Sequence, residues 1–169
     1  MDQVLATSVE EYLETTFEDG DREFIDGEIQ EINVGELDHS AVQAAIAAFF
    51  FGKRKTIGLH CVTECRTRVS PTRFRLPDVA VVLGEKPRGR VLESPPFLVV
   101  EILSPEDRVS RMEDRIDDYL RFGVPWIWVI DPSTGRGHIY SNRTRIAVTG
   151  GIYRTSNPDI EMHFNELFD

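Results

Sequence analysis

One carboxylate inside an apolar run is the feature that most constrains how this chain can fold. Glu101 lies within residues 97–103, which otherwise have the composition of a strand buried on both faces. An isolated carboxylate in such surroundings costs several kcal/mol. Glu101 therefore needs a cation, a shared proton or a set of hydrogen-bond donors, and a buried arginine would meet that need as well as a metal ion.

A second acid stands at the start of another strongly apolar run. Asp78 follows Pro77 and opens residues 78–83. If this strand neighbours that of Glu101, both side chains can project toward one point and bind Mg²⁺, with the carbonyl of Ile102, waters and a substrate phosphate as further ligands. The alternative is that Asp78 only ends its strand by accepting hydrogen bonds from nearby amides.

The hydrophobic periodicity predicts a mixed α/β fold in one domain that spans residues 1–169. Helices are predicted over residues 8–16, 38–52 and 106–122. Strands are predicted at both sides of an Asp26-Gly27 turn and over residues 57–69, 78–83, 97–103, 126–130, 137–141 and 144–154, the last of them split by Gly150-Gly151. Residues 84–96 are rich in glycine and proline and predict a loop.

The charge of the chain is unevenly distributed. The net charge is −10, which argues against a protein that coats nucleic acid. Residues 1–52 contain one basic and thirteen acidic residues, whereas residues 53–90 contain ten basic and three acidic ones. The middle segment could face a polyanion such as DNA, or its charges could simply be solvated loop and strand-edge residues.

Two further patterns concern location in the cell. No run approaches the roughly 18 apolar residues that cross a bilayer. Residues 1–20 are acidic and lack the basic and apolar regions of a signal peptide. We therefore expect a cytoplasmic protein without a membrane partner.

Three arginines line one side of the predicted helix over residues 106–122. At about 100° per residue, Arg108, Arg111 and Arg115 form a narrow band beside the apolar stripe. A cation in that band could hold a scissile phosphate or its leaving oxygen. The alternative is a helix whose arginines pair with its own acidic residues.

Several motifs, taken in order, resemble one known family. They are Phe24-Ile25-Asp26-Gly27-Glu28, Pro77-Asp78, Glu101-Ile102-Leu103-Ser104-Pro105, Asp117-Asp118-Tyr119 and the segment from Phe122 to Pro132. Over about residues 20–160 the chain resembles the bacterial putative restriction endonuclease family of the PD-(D/E)XK nuclease superfamily.

The resemblance implies a restriction-endonuclease-like fold, in which helices flank a mixed β-sheet. It also implies hydrolysis of DNA phosphodiester bonds that depends on Mg²⁺ or Mn²⁺. Asp78 matches the aspartate of the PD motif, and Glu101 matches the acid of the (D/E)XK element. Glu28 matches the N-terminal acid of the family, which would join the metal site directly or through water.

The chain departs from the superfamily pattern at the lysine. The lysine two residues after the acid is replaced by Leu103. In this family the lysine lies on the following helix, and the matching position here is Arg115. Arginine keeps the positive charge and can hold a phosphate, but it cannot act as a base because its pKa exceeds about 12.

The leading prediction is therefore a metal-dependent DNA endonuclease in which Asp78, Glu101 and Arg115 are catalytic and Glu28 assists the metal. The arginines predicted to contact DNA phosphates are Arg108, Arg111, Arg66, Arg68 and Arg75. A homodimer of such sites would cut both strands. The alternatives are an inactive protein of the same fold that binds nucleic acid or a protein partner, and a metal-dependent hydrolase of another phosphoester.

Overall fold

The computed structural model describes residues 7–33, 35–142 and 144–169. The helices among these residues are α1 (Val9–Glu14), α2 (Leu37–Lys53) and α3 (Val109–Phe122). The strands are β1 (Arg22–Ile25), β2 (Glu28–Glu31), β3 (Leu59–Thr63), β4 (Thr67–Ser70), β5 (Arg73–Arg75), β6 (Val79–Leu83), β7 (Leu98–Ile102), β8 (Trp126–Ile130), β9 (Gly137–Ser141), β10 (Thr144–Val148), β11 (Ile152–Thr155) and β12 (Ile160–His163). A π-helical turn, Arg54–Gly58, follows α2, and a 3-10 turn, Phe164–Phe168, follows β12.

The strands form a central sheet and two smaller ones. The central sheet has the order β10-β9-β8-β7-β6-β3, in which β7 and β8 run parallel and the other neighbours antiparallel. A four-stranded antiparallel sheet has the order β2-β1-β5-β4, and β11 pairs with β12. This architecture confirms the predicted mixed α/β fold with helices beside a mixed sheet.

The two longer helices pack on opposite faces of the central sheet. On α2, Val42, Ile46 and Phe50 recur one turn apart and pack with the β7 residue Val100. On α3, Met112 and Ile116 pack with the other face of β7, through Val99. Since successive side chains of a strand point to opposite faces, β7 is buried on both sides, as its continuous apolar run predicted. None of the helices in the described part of the chain is both long and apolar enough to cross a lipid bilayer.

One predicted strand is wrong. Residues 57–69 do not form a single strand, because the chain leaves the central sheet after Thr63 and enters the four-stranded sheet at Thr67. Glu64 makes the turn with a φ of +49°, a backbone conformation that residues other than glycine rarely adopt. The Glu64 N–H donates to the carbonyl of Pro77 at 3.1 Å, which ties the turn to the residue before Asp78.

The helix boundaries agree more closely with the sequence. The Ser8-Glu11 capping box of α1 is present, since each side chain accepts a hydrogen bond from the backbone of the other. Helix α2 has Glu36 at its N-cap and runs one residue beyond the predicted range 38–52 at each end. Helix α3 begins three residues later than predicted, at Val109, because Asp107 Oδ2 accepts the Ser104 N–H and holds a turn there.

Candidate active site

The pairing of β6 with β7 brings the two acids together. The antiparallel ladder pairs Val79 with Val100, so the next step of the same register sets Asp78 opposite Glu101. Residues that face each other in this way have Cβ atoms roughly 5 Å apart. The backbone N–H of Ile102 donates to Asp78 Oδ2 at 2.6 Å, which fixes the aspartate at the end of the Glu101 strand.

Glu101 is enclosed by two side chains of α3. Glu101 is 1% exposed, and the Tyr119 hydroxyl donates to its Oε1 at 2.6 Å. Arg115 lies one helical turn before Tyr119, and its Nη1 is 3.6 Å from Glu101 Oε2. Burial, together with the negative charge of Asp78, raises the pKa of Glu101 to about 8, although Arg115 and Tyr119 act in the opposite direction.

The start of α2 holds Asp78 from the other side. His39 is 8% exposed, and its Nε2 lies 3.2 Å from Asp78 Oδ1. The interaction with Asp78 raises the pKa of His39, and burial partly offsets this effect. One turn later, Gln43 Nε2 donates to the backbone carbonyl of Asp78 at 3.0 Å. Both the carboxylate and the backbone of Asp78 are therefore fixed by the helix.

A third acid, Glu23 on β1, reaches the site from the four-stranded sheet. Glu23 is 2% exposed, and its Oε1 lies 3.3 Å from Nε of Arg115. Oε1 also accepts the Leu76 N–H at 3.2 Å, and Oε2 accepts Nη1 of Arg75 at 2.9 Å. Arg115 thus lies between a carboxylate of the central sheet and one of the smaller sheet. Burial disfavours its charge, but Glu101 and Glu23 more than offset this and raise the pKa of Arg115.

Arg75, predicted to contact DNA phosphates, lies in a buried group of ion pairs. Its guanidinium is 3% exposed and contacts Glu23, Asp118 at 2.7 Å and Asp114. Arg73 joins the same ion pairs, with Nη2 2.7 Å from Asp114 Oδ2. Because Arg75 is buried among three carboxylates, its predicted contact with phosphate would require these ion pairs to open. Arg75 instead joins the four-stranded sheet to α3.

Arg68 lies on β4 and Arg66 directly precedes that strand, and both side chains already contact other groups of the protein. The side chain of Arg66 is 12% exposed, pairs with Asp21 at 2.6 Å and donates to the carbonyls of Tyr12 and Thr15. Arg68 is half-buried, and its guanidinium lies over the ring of Phe74 at 5.5 Å. The structure does not bring either arginine to Asp78 and Glu101.

The remaining predicted residues are exposed. Arg108 is the N-cap of α3 and Arg111 lies in its first turn, so both stand at the helix end that precedes Arg115. Glu28 is exposed at the first position of β2. Across residues 7–33, 35–142 and 144–169, no three histidine, cysteine, aspartate or glutamate side chains form a group that could hold a metal ion. Glu28 is thus not brought together with Asp78 and Glu101.

The two acids nevertheless match in kind the ligands that a hard divalent cation takes. Mg²⁺ is usually held by one or two carboxylates, together with waters and substrate phosphates. Each carboxylate oxygen can accept two bonds, so the hydrogen bond from Tyr119 leaves Glu101 able to bind a cation. A cation would also relieve the repulsion between Asp78 and Glu101 that contributes to the raised pKa of Glu101.

Sequence reasoning did not assign Glu23, His39 or Tyr119 to the site. The position of Tyr119 one turn after Arg115 was a readable signal, but its ring also completes the apolar stripe of α3. His39 lies near the start of a predicted helix, where an exposed histidine is more common. Glu23 gave no local signal, because its partners are 50 or more residues away in sequence.

A protein family and a solved structure show which known proteins the chain is similar to. The model of a family described as putative restriction endonuclease (Uma2) matches residues 9–159. Among solved structures, the chain is similar to a putative nuclease belonging to DUF820 from Anabaena variabilis ATCC 29413, with a TM-score of 0.79 and 20% sequence identity. That similarity covers 94% of this chain and 96% of the other, and it concerns the fold. No curated protein matches the chain.

Proposed function

Because the chain belongs to the putative restriction endonuclease family, we propose that it is an endonuclease that hydrolyses DNA phosphodiester bonds with a divalent metal ion, Mg²⁺ or Mn²⁺. The observation that carries this proposal is the meeting of Asp78 and Glu101 at the same end of two central strands. A buried carboxylate beside a half-buried one is costly without a cation, so their presence at one point calls for a chemical use.

Each residue of the site has a role in this proposal. Asp78 and Glu101 hold the metal ion, and Tyr119 orients the Glu101 carboxylate through its hydroxyl. When bound, the ion supplies positive charge that stabilises the negative charge developing on the phosphate during hydrolysis. Arg115 contacts a phosphate oxygen and keeps its charge throughout, because a guanidinium does not release its proton.

DNA would approach from the end of α3 that carries Arg108 and Arg111. Both side chains are exposed there, and contacts of this type are salt-dependent and carry little sequence information. The assistance of Glu28 stays a prediction about an exposed carboxylate on β2. Cleavage of both strands would need two copies of the chain, and a homodimer in the cytoplasm is part of this proposal.

A non-catalytic protein of the same fold is the second candidate, and one observation favours it. The Arg115 guanidinium already lies 3.6 Å from Glu101 and offsets part of the charge that a metal ion would need. Arg115 also replaces a lysine that could exchange a proton. In such a protein, the same surface would bind nucleic acid or a protein partner without cutting.

The test is cleavage of supercoiled plasmid in the presence of Mg²⁺ or Mn²⁺. We expect the wild type to nick the plasmid, and Asp78→Ala and Glu101→Gln to lower the rate at least about a hundredfold. Asp117→Asn, which changes an exposed acid on α3, is the matched control and should cut like the wild type.

Each other outcome has a definite meaning. Equal nicking by all four proteins would indicate a contaminating nuclease. A wild type that binds DNA but leaves it intact at saturating metal would support the second candidate. Stronger inhibition by nucleotides than by DNA would identify a hydrolase of another phosphoester.

A further inference from the structure

We propose that Glu23 is a positioning residue that holds Arg115 away from Glu101 and so keeps the Glu101 carboxylate available to a metal ion. The inference rests on the proposed function, since it concerns the same metal site. It adds a residue of the four-stranded sheet to a site otherwise built by the central sheet and its two helices.

The geometry shows one guanidinium shared by two buried acids. The side chain of Arg115 is 14% exposed, with Nε 3.3 Å from Glu23 Oε1 and Nη1 3.6 Å from Glu101 Oε2. The contact with Glu23 is the shorter of the two. Each acid therefore takes part of the charge of Arg115, and neither forms a close two-point ion pair with it.

Glu23 is fixed independently of Arg115. Its Oε1 accepts the Leu76 N–H, and its Oε2 accepts Nη1 of Arg75, which is itself held by Asp118. Because β1 and β5 are neighbours in the smaller sheet, these bonds hold the Glu23 carboxylate in place. Glu23 thus attracts the Arg115 guanidinium from a fixed position on the side opposite Glu101.

A metal ion and Arg115 compete for the same carboxylate. If the charge of Glu23 is removed, Glu101 becomes the stronger partner of Arg115, and the guanidinium closes on it. A close Arg115–Glu101 pair would neutralise one of the two acids proposed to bind the metal. The loss of Glu23 should therefore weaken metal binding although Glu23 itself does not touch the ion.

Calorimetric titration of the full chain with MnCl₂ tests this inference. We expect Glu23→Gln, which keeps an acceptor for the Leu76 N–H, to weaken Mn²⁺ binding about tenfold. Asp21→Asn is the matched control, because it also removes one negative charge from an ion pair near β1, but that charge pairs with Arg66. Its Mn²⁺ affinity should stay within about twofold of the wild type.

A double variant distinguishes an effect of Glu23 through Arg115 from a direct effect of its negative charge on the metal ion. If Glu23 acts through Arg115, Glu23→Gln should have little further effect on Mn²⁺ affinity in an Arg115→Gln background. An undiminished effect in that background would mean that Glu23 acts directly through its charge, and would overturn the inference. Equal Mn²⁺ affinity of the wild type and Glu23→Gln would overturn it as well.

A second measurement does not need the metal. In nuclear magnetic resonance spectra of the metal-free chain, the Arg115 Nε–H should be protected from exchange with water in the wild type and in Asp21→Asn. The protection should fall in Glu23→Gln, or in Glu23→Asp if the former does not fold. Unchanged protection would refute the positioning role. A wild type that shows this protection but binds no Mn²⁺ would refute the proposed metal site and leave the Glu23 contact established.

Discussion

At the scale of single residues, Glu101 shows how neighbouring groups set the protonation of a buried acid. Its place in an apolar run required a partner, and the structure supplies two, a tyrosine hydroxyl and a shared guanidinium, although a second acid, Asp78, also lies beside it. The hydroxyl and the guanidinium favour the charged form, while burial and Asp78 favour the neutral form. The balance raises the pKa of Glu101 to about 8, so its protonation changes near neutral pH.

This shift predicts a specific pH dependence of stability. The unfolded chain releases the Glu101 proton near pH 4.5, whereas the folded chain keeps it until about pH 8. Between these values the folded state binds more protons, so Glu101 makes the free energy of unfolding fall as pH rises. We expect the unfolding midpoint of the metal-free wild type to fall more than that of Glu101→Gln between about pH 5 and about pH 8.5, by on the order of 5 °C.

The measurement is thermal unfolding by circular dichroism with a chelator present. Asp117→Asn, at an exposed position of α3, is the control and should follow the wild type. If the curves of the wild type and Glu101→Gln run parallel over the whole range, the folded protein does not hold Glu101 in its neutral form.

At the scale of elements, α3 carries the two side chains that enclose Glu101, and its end is fixed by Gly123. This glycine has a φ of +102°, and its N–H donates to the carbonyls of Tyr119 and Leu120. The sequence predicted this end correctly, because glycine is the usual residue in a left-handed C-cap. It could not predict the break at Glu64, because a positive φ at a glutamate has no local signal.

Two glycine substitutions should have opposite effects on stability. A Cβ at Gly123 would meet Pro95 at 3.6 Å, an ordinary contact, so Gly123→Ala should lose about 1 kcal/mol through backbone strain. Gly52 lies inside α2 with open space around it, so Gly52→Ala should gain about 0.5–1 kcal/mol. Urea unfolding measures both, and a stabilised Gly123→Ala would contradict the assigned cap.

At the scale of the whole molecule, packing divides the basic middle third into two sets. Arg66, Arg73 and Arg75 are used inside the structure in ion pairs with acids of other segments. Lys86 and Arg88, in the loop between β6 and β7, are exposed. The net charge of the segment therefore overstates the positive charge that a polyanion can reach.

Lys86 and Arg88 also lie at the opposite end of β6 and β7 from Asp78 and Glu101, so the exposed arginines at the start of α3 should contribute more to DNA binding. We expect Arg108→Ala combined with Arg111→Ala to lower DNA affinity and to reduce the slope of log affinity against log salt by about 2. Arg154→Ala, at an exposed cation of β11 that pairs with Glu161, is the control. Fluorescence anisotropy with a labelled duplex and Ca²⁺ measures this, and an unchanged slope would place the DNA elsewhere.

The sequence by itself determined where Asp78 and Glu101 lie relative to the apolar strands and to the helix that follows. Each of these features depends on a short-range pattern of apolar and polar residues. Tertiary structure alone decided which arginine side chains lie close to these two acids. Arg75 is buried, Arg115 is shared, and Glu23 joins them through contacts between residues more than 40 positions apart. Such ion pairs form only when two sheets and a helix meet, and no local pattern specifies how a chain will pack against itself over that distance.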